Sequence, residues 1–447
     1  MGIFGAMETA VSGMQAQAYA LDNISGNIAN SQTIGYKRID TSFQDLIPDL
    51  GVSSQITGGV NAASQSTNSV AGAFQSTGVN SNVAISGDGY FAVSRQTTSV
   101  SGNPTFESTP YFTRRGDFTL DKNNNLVNGA GYYLMGYSVD PTTGVVSSGE
   151  PTTIQLPTGD MAPKATTTVT YQGNLPTTPA NPVAPVTALA PATASSDGPP
   201  PVTGTTVSGD GESSFLNATI AGGSVTVYDQ SGTPVNLQTR WAKNSSGTWD
   251  LYYESNSTAT GTNTKWTCLQ NFQFDAGGKL SSPNPATVTA PTSFSIDGKT
   301  LGAISLNFSG MSQYGDTSGQ FRTTNIAQDG HSSASLTGVQ FGDKGRIYAL
   351  YSNGLQEPVA DIAIAKFSGD QALKRLDGGV YQQSDQSGEP IYGAGDSNIL
   401  VGGLEASNAD ISQEFSAMIA TQQAYSANAK VITAAQQMMT EAIDVIR

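Results

Sequence analysis

The C-terminal stretch of the chain, residues 404–447, contains no glycine and no proline, although the whole sequence has 50 glycines and 21 prolines. Within this stretch apolar side chains recur at every seventh position, and a second row lies four residues further on. Such spacing is typical of a coiled-coil helix. The first row is Leu404, Ile411, Met418, Tyr425, Ile432, Met439 and Ile446, and the second row adds Phe415, Ala429 and Ile443.

The start of this helix is indicated by a capping pattern. Ser407 and Asp410 have the spacing of a capping box, with an oxygen that can accept from an early backbone N–H and a carboxylate in the positive first turn. We therefore expect the helix to begin near Asn408. At a rise of ~1.5 Å per residue it would be roughly 60 Å long, so it needs an equally long apolar partner.

The N-terminal stretch, residues 4–30, offers that partner. Its apolar side chains also recur every seven residues, so the two ends are predicted to pair as coiled-coil-type helices. Burying the C-terminal row is worth ~10 to 20 kcal/mol in total. Ordering the roughly forty backbone positions of this stretch costs ~1 kcal/mol or more for each position, which is the larger quantity. We therefore expect the ends to fold fully only when neighbouring copies enclose them. The N-terminal row is Met7, Met14, Leu21 and Ile28, adjoined by Phe4, Val11 and Ala18.

Composition excludes several classes of protein. The chain is long enough for several domains, and its net charge of −15 argues against binding to nucleic acid or to an anionic membrane. Cys268 is the single cysteine and His331 the single histidine, so neither a disulfide framework nor a histidine-rich metal site is expected. We predict no catalytic residue, no metal and no cofactor.

Targeting signals of the familiar kind are also not expected. The first basic residue is Lys37, so the basic start of a secretory signal is missing, and no run of 18 apolar residues could span a bilayer. The abundance of Ser, Thr, Asn and Gly nevertheless resembles that of an extracellular protein. These two observations agree only if export uses a signal that is not cleaved.

Between the helical ends the sequence predicts β structure. Residues 36–80 are polar and are interpreted as an extended connector, whereas turns such as Gly87–Gly89 separate short apolar runs typical of hairpins. Residues 176–211 are rich in Pro, Ala, Thr and Ser and are predicted to form a flexible loop. Strands between 338 and 367 are expected to return to the sheet that begins at Val83.

The predicted fold class is therefore α+β and multidomain, with paired N- and C-terminal coiled-coil-type helices and nested antiparallel β domains. The predicted boundaries are 1–35 plus 404–447 for the helical terminal domain, 36–80 for the connector, 81–149 plus 316–403 for an inner β domain, and 150–315 for an outer β domain.

Ordered motifs at both ends resemble one protein family. The N-terminal motif consists of Ser12–Ala16, Asn23, Asn27–Asn30 and Thr33–Lys37. It resembles the signature of bacterial flagellar rod and hook proteins, and Gly403–Asp410 with Gln422, Tyr425 and Asn428 resembles the C-terminal domain of that family. Residues 83–93, 113–120 and 225–229 are similar to the β domains of hook proteins in particular. The signature residues are Ser12, Gly13, Asn23, Asn27, Asn30, Thr33, Gly35, Tyr36 and Lys37.

This resemblance implies a structural subunit of the flagellar hook. Such subunits assemble into a curved helical tube, a universal joint that transmits motor torque to the filament for motility. The implied partners are further copies of the chain, the distal rod, the hook cap, the hook–filament junction proteins and the flagellar export apparatus. The implied location is extracellular, at the basal body and hook, after export without a cleaved signal peptide, with no membrane insertion.

Two other classes of function remain as alternatives. A rod or hook-associated junction subunit shares the helical ends, although a rod subunit is expected to lack the outer β domain. A secreted carbohydrate-binding protein or glycosidase would explain the β domains but not the paired heptads. The chain has no nucleophile elbow, metal-ligand spacing or phosphate loop, so an enzyme is not predicted. The predicted polymerisation residues are Met7, Val11, Met14, Leu21, Ile28, Leu404, Ile411, Phe415, Met418, Tyr425, Ile432, Met439, Ile443 and Ile446.

Overall fold

The structure is a computed structural model that describes residues 3–46, 58–100, 103–180, 206–244, 247–290, 294–393 and 397–446. It is rich in β structure, with three α-helices in these ranges. The chain divides into two compact units, which are described separately. Unit 1 is Met1–Thr158 with Leu336–Arg447, and unit 2 is Gly159–Ser335.

The elements are as follows in chain order. The helices are α1 (Ile3–Ala29), α2 (Glu212–Ala218) and α3 (Ile411–Ile446). The strands are β1 (Ile39–Asp45), β2 (Val60–Ser66), β3 (Phe74–Ser76), β4 (Val83–Ser86), β5 (Tyr90–Val100), β6 (Asn103–Phe106), β7 (Tyr111–Thr113), β8 (Phe118–Leu120), β9 (Leu126–Asn128), β10 (Tyr132–Ser138), β11 (Thr152–Thr153), β12 (Thr168–Pro176), β13 (Thr206–Ser208), β14 (Ile220–Tyr228), β15 (Pro234–Lys243), β16 (Trp249–Glu254), β17 (Thr264–Phe274), β18 (Leu280–Ser282), β19 (Thr287–Thr289), β20 (Ser295–Ile296), β21 (Lys299–Thr300), β22 (Ser305–Asn307), β23 (Met311–Tyr314), β24 (Arg322–Gln328), β25 (Leu336–Phe341), β26 (Arg346–Tyr351), β27 (Gln356–Ile362), β28 (Ile364–Lys366), β29 (Lys374–Leu376), β30 (Val380–Gln382), β31 (Ile391–Tyr392), β32 (Asn398–Val401) and β33 (Gly403–Glu405).

The C-terminal helix begins later than its capping pattern suggested. Asp410 is its N-cap, since the carboxylate accepts from the backbone N–H of Ser412 at 2.8 Å and of Gln413 at 3.2 Å. Ser407 instead accepts from the backbone N–H of Ala409 and closes a local turn before the helix. The prediction that Leu404 belongs to the helical row is wrong, because Leu404 lies in β33 and pairs with β3.

Helices α1 and α3 pack against each other in antiparallel orientation. A Cβ at Gly13 would lie 2.8 Å from the amide nitrogen of Asn428, and Asn27 donates to the carboxylate of Glu414. The two contacts are fourteen residues apart along each helix, and their order along α3 is the reverse of their order along α1. The predicted supercoiling of the pair stays a prediction. The buried face of α1 consists mainly of small residues, namely Ala10, Gly13, Ala16, Ala20, Ile24 and Asn27.

The predicted extended connector contains regular structure. Strands β1 and β2 form an antiparallel hairpin that lies against α1, and β3 pairs with β33. Side chains of α1 fasten the hairpin: the hydroxyls of Tyr19 and Ser64 are 2.7 Å apart, and Asn23 donates to Thr41 at 2.9 Å. The polar character of this segment therefore reflects hydrogen bonding to the helix rather than an unpaired chain.

The main sheet of unit 1 mixes strands from both ends of the chain. The order β25-β26-β27-β10-β5-β7-β30-β29 places late strands beside early ones, and β32 pairs with β4. Aromatic side chains of Tyr90, Phe112 and Tyr381 fill part of its core. The predicted boundaries of the nested domains stay predictions, whereas the compact units divide after Thr158 and after Ser335.

Unit 2 contains a five-stranded and a six-stranded sheet that contribute to one large core around Trp241, Trp249 and Phe272. The prediction of an antiparallel β domain is wrong for part of this unit, because β12 pairs in parallel with β22 and β23. These strands are far apart in sequence, so no short turn forces them to run in opposite directions. Most of the predicted flexible loop, residues 181–205, lies outside the described residues, and its described flanks belong in part to β12 and β13.

Candidate functional site

The signature asparagines of α1 bind the segment that follows the helix. Asn27 is buried and its amide donates to the carbonyl of Ile39 at 2.9 Å and to Glu414 at 3.3 Å. Its oxygen accepts from the backbone N–H of Ile39 at 2.9 Å and from the hydroxyl of Tyr36 at 3.2 Å. Asn27 therefore joins α1, the connector and α3, and a side chain without both donors and acceptors could not replace it.

The other polar signature residues have local roles. Asn30 closes the end of α1 by donating to the carbonyl of Gly26 at 2.9 Å, and it accepts from the Thr33 hydroxyl at 3.1 Å. Ser12 accepts from the backbone N–H of Val60 at 3.2 Å at the start of β2. The signature thus describes how α1 ends and how the connector lies on it.

Glycine is required at position 35. Gly35 has a φ of +67°, and an added Cβ would lie 2.8 Å from the carbonyl carbon of Arg114. Its backbone N–H donates to the carbonyl of Glu405 at 2.8 Å. The turn after α1 therefore contacts both the β sheet and the segment that leads into α3.

Four residues next to this turn form what we call the Glu405 junction: Lys37, Gly72, Arg114 and Glu405. The Glu405 carboxylate lies 2.5 Å from the Lys37 ammonium nitrogen and 3.3 Å from a guanidinium nitrogen of Arg114, and it accepts from the backbone N–H of Gly72 at 2.8 Å. All three charged side chains are 3% exposed or less. Burial lowers the pKa of Lys37, although the nearby carboxylate of Glu405 opposes that shift.

Burial also raises the pKa of Glu414, the α3 carboxylate that faces Asn27, despite the hydrogen bond from that amide.

Asn408 completes the contact between the two chain ends. Its side-chain oxygen accepts from the backbone N–H of Arg38 at 2.6 Å, and its own N–H donates to the carbonyl of Tyr36 at 3.2 Å. The base of the helix pair is therefore held by polar contacts rather than by the apolar rows.

Glu405 and Arg114 lie inside longer sequence motifs that indicate no role for either residue. A signal was available, because charged residues make up only 12% of the chain and Glu405 stands among small and apolar neighbours. It did not identify partners, since Arg114 is 291 residues away along the chain.

The predicted polymerisation residues occupy several environments. Ile446 is the last residue that the structure describes, and its side chain is not among the described ones. Leu404 is buried within β33. The half-buried residues are Met7, Met14, Leu21, Ile28, Met418, Ile432 and Met439. The exposed ones are Val11, Ile411, Phe415, Tyr425 and Ile443.

Further large apolar side chains are exposed on the same helices. Phe4 on α1 is 74% exposed, and Ile419, Val431 and Met438 on α3 are also exposed. Within the described ranges no helix is long and apolar enough to cross a membrane. The same residues contain no group of three or more His, Cys, Asp or Glu side chains that could hold a metal ion.

Family models match four parts of the chain. Residues 7–37 match "Flagella basal body rod protein" and residues 401–445 match "Flagellar basal body rod FlgEFG protein C-terminal". Residues 84–175 match "Flagellar hook protein FlgE/F/G D1 domain", and residues 212–331 match "Flagellar basal body protein FlaE D2 domain".

Whole proteins agree with these matches. The chain is 31% identical over 459 residues to the flagellar hook protein FlgE of Rhizobium meliloti, with 100% of both chains covered. It is 31% identical over 440 residues to that of Salmonella typhimurium, with 97% of this chain and 98% of the relative covered. The crystal structure of Helicobacter pylori FlgE2 matches with a TM-score of 0.47 and 18% identity, over 72% of this chain and 98% of that one. On the sequence identity and its full-length coverage, this chain belongs to the flagellar hook protein family.

Proposed function

We propose that the open apolar faces of α1 and α3 are the surfaces on which neighbouring subunits pack in the hook. The chain is a structural subunit of the flagellar hook and not an enzyme, and members of its family assemble into the flagellar structure. Its function therefore depends on contacts between copies. The proposal concerns which residues make those contacts.

The observation that carries the proposal is the contrast between the two sides of α1. Its buried side consists mostly of alanine and glycine, against which α3 and the β1–β2 hairpin lie. Apart from the buried Ile24, its larger apolar side chains, Phe4 and Val11 among them, are left exposed or half-buried. Small residues allow the helices of one chain to approach closely, and the large side chains remain available to other chains.

Helix α3 also exposes large apolar side chains, and it does so over a greater length. Six exposed apolar residues lie between Phe415 and Ile443: Phe415, Ile419, Tyr425, Val431, Met438 and Ile443. Fully burying such a side chain is worth ~1.5 to 3 kcal/mol. Several exposed large apolar side chains on one helix of a monomer point to contacts with other chains, and enclosing them by further copies would give the tube a helical wall.

The matched family models support contacts beyond the hook itself. Both helical ends match models named for basal body rod proteins, so the same mode of helix packing can continue from the distal rod into the hook. By family resemblance the hook cap, the hook–filament junction proteins and the export apparatus are the other proposed partners. The tube would act as the universal joint between motor and filament.

Membership of the family places the protein in the flagellum. We propose that it arrives there without cleavage of an N-terminal signal. The support is that α1 is bound into the fold through Asn27 and its match to the rod model begins at residue 7. Mass spectrometry of subunits from isolated hooks tests this, and loss of the α1 residues from the mature chain would contradict it.

The substitution Met438→Asp tests the proposed contact surface. Met438 is half exposed in the monomer, so a carboxylate there remains in water and the melting temperature of the chain should change little. Within a packed helical wall the same charge would lose its hydration without gaining a partner, at a cost of several kcal/mol in every subunit. We therefore expect purified Met438→Asp subunits to form no tubes in electron micrographs.

The matched control is Gln437→Asp, which adds the same charge one residue earlier, at an exposed polar position. This variant should assemble close to the wild-type level. If both variants polymerise equally well, the face of α3 that includes Met438 is not buried between subunits, and the proposal is wrong.

A further inference from the structure

We infer that Glu405 is a positioning residue that fixes the base of the helix pair to the β sheet of unit 1 before any neighbouring subunit binds. The inference concerns the fold of a single chain. It does not depend on which helix faces make contacts between subunits.

Glu405 receives hydrogen bonds from three separate segments of the chain. Its carboxylate binds Lys37 after α1, the backbone of Gly72 in the connector, and Arg114 after β7. Its carbonyl oxygen accepts from the backbone N–H of Gly35. The side chain therefore lies where the N-terminal helix, the connector, the sheet and the approach to α3 meet.

The charges at the junction require the carboxylate. Lys37 and Arg114 are both buried, and besides Glu405 their hydrogen-bond acceptors among the described residues are neutral carbonyl oxygens: Val70 for Lys37, and Ile85 and Gly87 for Arg114. The Arg114 guanidinium carbon also lies 5.2 Å from the centre of the Tyr90 ring. The Asp370 carboxylate, like that of Glu405, opposes the lowering of the Lys37 pKa by burial. Glu405 is nevertheless the carboxylate that forms an ion pair with both cations. Without the negative charge of Glu405, two cations would remain close together in a region shielded from water. That arrangement is strongly unfavourable, and it could be relieved only if the junction opened and admitted water.

Close backbone packing prevents the junction from adjusting in small steps. An added Cβ at Gly72 would lie 1.9 Å from the carbonyl oxygen of Ala406, and one at Gly35 would meet the backbone of Arg114. Such contacts leave no room for sliding. We therefore expect loss of the Glu405 charge to open the junction to water rather than to shift it slightly.

The polar base and the apolar side chains of the helices therefore differ. The base of the helix pair is fastened by buried polar contacts within one chain, whereas large apolar side chains stay exposed along both helices, including Ile411 and Phe415 near the base. The expectation that the ends fold fully only on assembly therefore concerns the apolar side chains and not the polar contacts of the base.

Amide hydrogen exchange of the purified full-length chain tests the inference. Glu405→Gln keeps the shape of the side chain but removes its charge. We expect exchange to become at least about ten-fold faster in residues 20–37, 68–76 and 404–420, while β5 and β27 keep their protection. A uniform change across unit 1, or no change, would overturn the inference.

Asp361→Asn is the matched control. It removes one charge from the Arg346–Asp361 pair of the same unit, whose atoms are 2.8 Å apart but whose side chains are 24 to 30% exposed. Because water can replace the lost partner, the three segments should keep wild-type exchange. A response equal to that of Glu405→Gln would show that any lost ion pair opens the junction.

A double variant separates positioning from general loss of stability. In a Lys37→Met background one of the two buried cations is already absent, so Glu405→Gln should accelerate exchange several-fold less than in the wild type. Equal acceleration in both backgrounds would mean that Glu405 does not act through Lys37. If Glu405→Gln does not fold, the variant Glu405→Asp is the alternative test. It retains the negative charge and should therefore fold, and a Glu405→Asp chain that does not fold would contradict the charge argument.

Discussion

Single residues at and just after the end of α1 direct the path of the chain. Asn27 uses both its amide and its oxygen to join three segments, and Gly35 adopts a positive φ where any side chain would strike the Arg114 backbone. Neither position contributes to an apolar row. Their chemistry decides how the chain leaves the helix, which the helix alone does not determine.

Asp329 in unit 2 is another single residue whose hydrogen bonds matter, because they stabilise its charged form and thereby the fold. Burial opposes its ionisation, but hydrogen bonds from Thr167 and Thr168 and the ammonium of Lys164 outweigh burial and lower its pKa from 3.8 to about 2. A carboxyl with a depressed folded pKa stabilises the fold above its unfolded value. That contribution is therefore present above about pH 4 and is lost as the pH falls towards 2.

We expect Asp329→Asn to reduce the free energy of unfolding at pH 7 by about 1 to 2 kcal/mol, and to have little effect near pH 2. Thermal unfolding of the chain across this pH range measures the difference. Asp160→Asn, at an exposed carboxylate of the same unit, is the control and should show no comparable pH dependence. A deficit of the same size at both pH values would mean that the hydrogen bonds, and not the charge, are responsible.

At the scale of elements, the structure indicates where the helical ends can be removed. Strand β4 pairs with β32, and Glu405 neutralises buried cations from two segments. A fragment of residues 30–409 keeps these contacts and lacks only α1 and α3. A fragment of residues 80–395 loses β32, β33 and Lys37, and it leaves Arg114 buried without its carboxylate.

We therefore expect residues 30–409 to form a soluble, β-rich monomer, and residues 80–395 to melt at a lower temperature or to aggregate. Circular dichroism and light scattering of the two fragments test this difference. Oligomers of the 30–409 fragment at low concentration would place polymerisation contacts outside the helices. Equal stability of the two fragments would show that the junction contributes little.

At the scale of the whole molecule, unit 2 is a single insertion between Thr158 and Leu336. Near its boundaries the backbone N–H of Met161 donates to the carbonyl of Ala334 at 2.7 Å, so the chain enters and leaves unit 2 at adjacent positions. A short linker can therefore replace residues 159–335 without separating the two halves of unit 1.

We expect this shortened chain to fold and to form tubes, because α1, α3 and the Glu405 junction all lie in unit 1. Circular dichroism establishes folding and electron microscopy establishes assembly, with the full-length chain as the control. A shortened chain that folds but forms no tubes would show that unit 2 makes contacts that assembly requires.

The sequence by itself determined the positions of the terminal helices to within a few residues, the β-rich body and the flagellar family. These depend on local periodicity, on turn residues and on ordered motifs, all of which act over short stretches of chain. Its error at Leu404 arose because apolar spacing continues from α3 into β33, and its helix start was too early because Ser407 closes a local turn while Asp410 caps the helix. Periodicity alone cannot distinguish those two structures.

Only the tertiary structure decided which partners meet. Lys37 and Glu405 are separated by 368 positions and Arg114 and Glu405 by 291, so no pattern within a segment connects them. The same holds for the parallel pairing of β12 and for the small-residue face of α1, which lies against α3 while the predicted apolar rows stay partly open. Long-range pairing depends on shape and charge in three dimensions, because a buried ion needs its counter-ion wherever the chain places it.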